Sequence, residues 1–183
     1  MADEPEDRKV RVGLAVHHPF EIELDEARAP VTVANFLSYV DRGAYDGTII
    51  HRCVPGFVVQ GGGHEVDLSD RAKTEGGGED KDPRILNEWT NGLKNVRGSV
   101  GMARETEPDS ATRQFYFNLS DNARLDQPRE VSGNAGYCVF AHVTRGMDVI
   151  DAMAAVRTKS VPALEMENIP VDPIIVRSAR RVR

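Results

Sequence analysis

The stretch from Ile49 to Gly63, IIHRCVPGFVVQGGG, places one arginine, Arg52, in a run of aliphatic residues, with Phe57 and Gln60 close behind. A guanidinium carries five fixed donors and a permanent charge. Setting it on an apolar strand is unfavourable unless it binds something. On an alternating strand Phe57 and Gln60 face opposite sides, so a bulge or turn near Pro55-Gly56, or at the glycines, is needed for all three to share a pocket. The fragment predicts a site for a neutral ligand with a carbonyl and an apolar group.

Outward from this stretch, Thr48 to Gln60 reads as two strands joined at Pro55-Gly56. Upstream, Val10 to Val16 alternates, His17-His18-Pro19 interrupts, and Phe20 to Leu24 alternates again, which predicts a hairpin. Ala29-Pro30 opens a helix. Val33, Phe36, Leu37 and Val40 repeat at helical spacing, and Gly43 supplies the stop. Downstream, the apolar pattern vanishes from Gly61 to Asp82, as in a long surface loop. Ser99 to Ala103, Gln114 to Leu119 and Tyr137 to Val143 are further strands. Met147 to Val156 forms a second short helix, Val161 to Asp172 reads as loop, and Pro173 to Ala179 closes the chain as a strand. About eight strands and two helices, with few long crossovers, predict a mostly β fold: an antiparallel sheet closed on itself, with helices at the ends.

The 183 residues fit one domain with a real core. An acidic tail over residues 1–9 precedes a single domain over 10–183. The net charge of −6 and the lack of a basic face argue against nucleic acid as a partner. The Arg177, Arg180, Arg181 and Arg183 cluster reads as a solvated strand face or tail. No apolar run approaches the roughly 20 residues of a membrane span, so no membrane partner is expected. The acidic, polar start MADEPEDRKV is unlike a secretory signal and points to the cytoplasm, a periplasmic form with its signal removed being the alternative. Cys53 and Cys138 lie in separate apolar runs and read as buried free thiols. His51, Cys53 and His64 have loose spacing for a metal site. The three glycines at 61–63 lack the further residues of a phosphate loop. No metal and no cofactor are expected.

The ordered set IIHRCVPGFVVQGGG, GSVGMARE (Gly98 to Glu105), SATRQFYFNL (Ser110 to Leu119) and GYCVFAHVTRGMDVID (Gly136 to Asp151) resembles the cyclophilin peptidyl-prolyl isomerases. APVTVANFLSYVDRGAYDGTIIHR matches the family's first helix and following strand. The likeness runs from about Val10 to Ala179 and is greater to the bacterial branch, partly through GYCVF and the SAT before the QF pair. It implies an eight-stranded antiparallel barrel capped by two α-helices, and isomerisation of X-Pro bonds in proline-containing peptides and folding protein clients. Carried over position by position, Arg52 matches the catalytic arginine. Phe57, Gln60, Ala103, Gln114, Leu125 and Tyr137 match the proline pocket and the groove beside it.

Several positions in this implied site depart from the family pattern. Tyr116 stands where phenylalanine is usual in the pocket floor, and Tyr137 where many eukaryotic members have histidine. Val58 replaces a common methionine and Arg104 a common asparagine. Arg124 replaces an aromatic that contacts cyclosporin in the family, which argues against tight cyclosporin binding. A phenolic hydroxyl in the proline pocket weakens apolar binding if it is unpaired. Tyr116 and Arg124 therefore motivate a second reading, a peptide-binding or chaperone module with weak or no catalysis. A third reading, redox or metal regulation through Cys53, rests on its place beside Arg52.

Overall fold

The computed structural model describes residues 8–14, 18–74 and 82–182. Strands β1 (Lys9–Leu14), β2 (Phe20–Leu24), β3 (Ile49–Val54), β4 (Val58–Gly61), β5 (Ser99–Met102), β6 (Phe115–Asn118), β7 (Val139–Arg145) and β10 (Ile174–Arg181) close into a barrel in the order β1-β10-β3-β4-β6-β5-β7-β2. Every neighbouring pair is antiparallel. Closure leaves none of these strands as an open edge. The predicted barrel is the observed one. Part of the first strand expected, Ala15-Val16, and the turn at His17 lie outside the described residues, as does nearly all of the expected tail.

The inner faces of these strands carry the core. Cys53, Val59, Phe115, Phe117 and Phe140 belong to one buried cluster with Phe20 and Ile22. Helix α1 (Pro30–Asp41) adds Val33, Phe36, Tyr39 and Val40, and helix α3 (Met147–Ala154) adds Val149, Ile150 and Met153. The Phe36 ring lies 5.1 Å from Phe140 and 5.3 Å from Tyr45, within the range of favourable aromatic pairs. Proline at the start of α1 removes one donor that would have no helical partner. Glu88 supplies the cap that Ala29 cannot: its carboxylate accepts from Val31 N at 3.1 Å, Thr32 N at 2.8 Å and Thr32 Oγ1 at 2.7 Å. Gly43 takes the left-handed conformation (φ 67°) that ends the helix.

Two segments differ from expectation. Within the loop from Gly61 to Asp82, a single helical turn, α2 (Arg71–Thr74), follows a bridge between His64 and Asp70. The expected loop Val161 to Asp172 contains most of a hairpin, β8 (Thr158–Val161) with β9 (Met166–Pro170), and β9 lies against β3. β8 is largely exposed, β9 buries only Ile169 and Pro170, and Glu165 and Asn168 have positive φ. With little apolar alternation to read, the pattern gives no strand signal there. Two of the four C-terminal arginines are tied down: Arg180 donates to Asp46 Oδ1 at 2.8 Å, and Arg181 pairs with Asp41 at 2.7 Å, while Arg183 lies outside the described residues.

Candidate active site

The outer face of β3, β4 and β6 faces away from the core. Arg52 pairs with Gln60 across β3 and β4, Gln60 with Tyr116 across β4 and β6, and Tyr116 with Gly101 across β6 and β5. Directly opposed residues share a face, so one row crosses four strands. The register shifts between Ile50 and Arg52, a place the sequence reading did not mark. Phe57 sits in the Val54–Val58 turn, outside strand alternation, with its amide donating to Val54 O at 3.0 Å. This turn, at Pro55-Gly56 as expected, brings Phe57 to the groove that Arg52 and Gln60 line.

Arg52 Nη1 donates to Gln60 Oε1 at 3.2 Å, and Gln60 Nε2 donates to Gln114 Oε1 at 3.0 Å. The two amides orient the guanidinium while leaving most of its donors uncommitted, and Arg52 has no carboxylate partner among the described residues. Its Cζ lies 5.9 Å from the Phe57 ring centroid. Gly63 makes room for this chain of amides, since a Cβ there would meet Gln114 Cγ at 2.4 Å.

A groove of about 370 Å³ opens over this face. Arg52, Phe57, Val58, Gln60 and Ala103 line it, together with Arg104, Tyr116, Arg124, Leu125 and Tyr137. Gln114, the remaining residue named from sequence, lines the adjoining hollow, which Gln60, Ala103 and Arg104 share. The structure therefore brings the expected residues together. It adds Arg129, Val131 and Ser132 from the irregular segment after Leu125, where no periodic pattern marks them.

Tyr116 is buried, and its hydroxyl donates to Asn95 Oδ1 at 2.6 Å. Burial first of all pushes this phenol well above its ordinary pKa, which keeps it a neutral donor. The hydroxyl is thus paired, and the concern that it would sit unsatisfied in the pocket does not arise. Gly101 lets the ring pass: a Cβ there would lie 2.3 Å from Tyr116 Cζ. Asn95, 1% exposed, is the hub that sequence reading missed. It also accepts from Asn118 Nδ2 at 3.0 Å and donates through Nδ2 to Asp126 Oδ1 at 2.8 Å and Tyr137 O at 3.2 Å. Asn122 extends the network, donating to Asn118 Oδ1 at 2.7 Å and Phe57 O at 3.0 Å. A lone asparagine between Lys94 and Val96 carries no sequence signal of this role.

Arg104 lines the groove, but its guanidinium is engaged. Nη1 donates to the carbonyls of Glu105 at 2.8 Å and Thr106 at 3.1 Å. Nη2 reaches those of Ser132 at 2.9 Å, Ala135 at 2.9 Å and Gly136 at 3.0 Å. Its Cζ stacks 4.4 Å from the Tyr137 ring centroid. Arg124 lies 4.8 Å over the Phe57 ring at the opening.

His51 and Cys53 project away from this row. His51 is 5% exposed, and burial, helped by His64 and Arg52, lowers its pKa to about 3, so it stays neutral. Cys53 is fully buried in the core, and burial pushes its thiol up to about 12. Such a thiol is a poor nucleophile and a poor metal ligand at neutral pH. Both cysteines are free and buried, as expected. Among the described residues no group of three His, Cys, Asp or Glu could hold a metal ion, and no helix is long and apolar enough to cross a membrane.

Fold and groove together define a class: a closed antiparallel barrel whose outer face aims a cation, held by one amide that a second amide positions, into an apolar seat. Residues 10–181 match the family described as cyclophilin type peptidyl-prolyl cis-trans isomerase/CLD. The chain is 44% identical over 163 residues to peptidyl-prolyl cis-trans isomerase A of Dickeya dadantii, covering 89% of this chain and 79% of the relative. It is 41% identical over 162 residues to peptidyl-prolyl cis-trans isomerase B of Escherichia coli, covering 88% and 93%. Among solved structures, a cyclophilin type isomerase of Cryptosporidium parvum, determined in the presence of the dipeptide Ala-Pro, superposes with a TM-score of 0.76 at 24% identity, covering 96% of this chain and 99% of that one. The chain belongs to the cyclophilin-type peptidyl-prolyl cis-trans isomerases, a family of isomerases, and the two relatives given by sequence identity are bacterial.

Proposed function

We propose that the chain isomerises X-Pro peptide bonds with Arg52 as its catalytic residue, acting as one domain over residues 10–183 on proline-containing peptides and folding clients. Rotation about a peptide bond faces roughly 18–20 kcal/mol because of C–N double-bond character. Turnover near 10³ per second corresponds to a barrier of about 13 kcal/mol, so the site has to supply roughly 6–7 kcal/mol. No bond is made or broken. As the amide twists, the prolyl nitrogen loses conjugation and gains basicity. A guanidinium directed at that nitrogen, or at the neighbouring carbonyl, binds the twisted form more strongly than the planar one.

The observation that carries this reading is the state of Arg52: a permanent cation at a groove wall, held by one amide oxygen at 3.2 Å, with its other donors making no side-chain hydrogen bond among the described residues. Phe57, Val58, Leu125, Tyr116 and Tyr137 offer the proline ring an apolar seat. Gln60 and Gln114 orient Arg52 and meet the substrate backbone, beside Ala103. Arg104 shapes the rim. The binding-module reading loses one of its two motives, since the Tyr116 hydroxyl is satisfied by Asn95, and keeps only Arg124. Arg124 in place of an aromatic disfavours tight cyclosporin binding. A coupled assay on a short Ala-Pro peptide tests the proposal: the chain accelerates cis-trans exchange in proportion to its concentration. An exchange rate that stays at the spontaneous value contradicts it.

A further inference from the structure

We propose that the groove selects clients with an acidic side chain near the proline, either two residues before it or directly after it, and that Arg124 and Arg129 are the specificity-determining residues that read it. The inference rests on the groove being the substrate site. Every charged residue lining the groove is an arginine: Arg52, Arg104, Arg124 and Arg129, with no carboxylate among the lining residues. That sign is opposite to the chain as a whole, whose net charge is −6. The four arginines are not equivalent. Arg104 is engaged by backbone carbonyls and Tyr137, and Arg52 is oriented by Gln60.

Arg124 and Arg129 are exposed, and neither makes an ion pair or side-chain hydrogen bond among the described residues. Arg124 is nonetheless placed, with its Cζ 4.8 Å over the ring of Phe57, at the edge of the proposed proline seat. Nearby carboxylates are occupied elsewhere. Asp126 accepts from Asn95 N and Nδ2 at 2.9 and 2.8 Å, and Asp121 accepts from Arg97 N at 2.9 Å. Glu105 lies 3.5 Å from Arg84. Glu130 follows Arg129 in the chain and makes no ion pair with either arginine. Val131, 72% exposed and also lining the groove, adds an apolar contact beside Arg129. Two cations without an ion-pair partner among the described residues, over a concave, partly apolar wall, attract negative charge there. Each exposed pair is weak and is screened by salt, so the preference is moderate and sensitive to ionic strength.

The test compares kcat/KM on Ala-Pro peptides carrying Glu, Gln or Lys either two residues before the proline or directly after it. The Glu peptide is favoured over the Lys peptide by about tenfold at low salt in at least one position, and the ratio falls to about two at 0.5 M salt. In the Arg124→Gln, Arg129→Gln double variant the low-salt ratio falls toward one, mainly through KM, with the thermal midpoint confirming a folded chain. If the Gln peptide is not accelerated by the wild-type chain, the isomerase reading fails. If it is accelerated with no Glu-over-Lys preference in either position, the selectivity inference alone is overturned. A preference that survives in the double variant overturns its assignment to these two residues.

Discussion

The strand wall and the loop rim of the groove each present an arginine, and the two side chains differ in what holds them. On the wall, Arg52 has one side-chain hydrogen-bond partner among the described residues, Gln60 Oε1 at 3.2 Å. At the rim, Arg104 reaches five backbone carbonyls, from Glu105 to Gly136, and stacks on Tyr137. A guanidinium whose Nη donors are taken up by its own backbone holds loops together. One whose donors are mostly unsatisfied can bind something that arrives. Sequence position alone does not separate these cases, since both arginines fall in motifs that match the same pocket.

The largest stability effect belongs to the rim. Arg104→Ala removes charge-assisted bonds to several carbonyls and is expected to lower unfolding free energy by about 3 kcal/mol. Chemical denaturation measures this, and a loss below about 0.5 kcal/mol would mean that the rim does not depend on Arg104. A smaller effect is expected beneath the seat. Tyr116→Phe deletes the bond to Asn95 Oδ1, which still accepts from Asn118, so the expected loss is about 1 kcal/mol. Turnover should not rise in this variant. A clear gain in catalysed rate would show that the hydroxyl impairs the proline seat after all.

Where the sequence could be read, local patterning and tertiary structure agreed. The barrel strands alternate because one face packs on Phe36, Phe117 and Phe140, and α1 announces itself through Pro30, its apolar spacing and Gly43. The site was legible because Arg52, Phe57 and Gln60 lie within nine residues of one another and match a family motif. The parts that escaped are those whose contacts are distant in sequence or whose surfaces are exposed. Asn95 reaches Tyr116 and Asp126 from an irregular segment. Arg129 and Val131 occupy exposed positions after Leu125, where no periodicity marks a groove wall. The β8–β9 hairpin buries too little to leave an apolar pattern. That Arg104 is engaged rather than free depends on carbonyls up to 32 residues away.

The contrast between wall and rim turns on Arg52, and Arg52→Ala tests it most directly through two readings on one protein. Removal of a partly exposed cation with a single side-chain hydrogen bond should leave the denaturation midpoint close to that of the unaltered chain. The catalysed exchange of an Ala-Pro peptide should fall about 100-fold or more, the scale of losing one preorganised transition-state donor. Near-normal turnover in a folded Arg52→Ala chain would contradict the account.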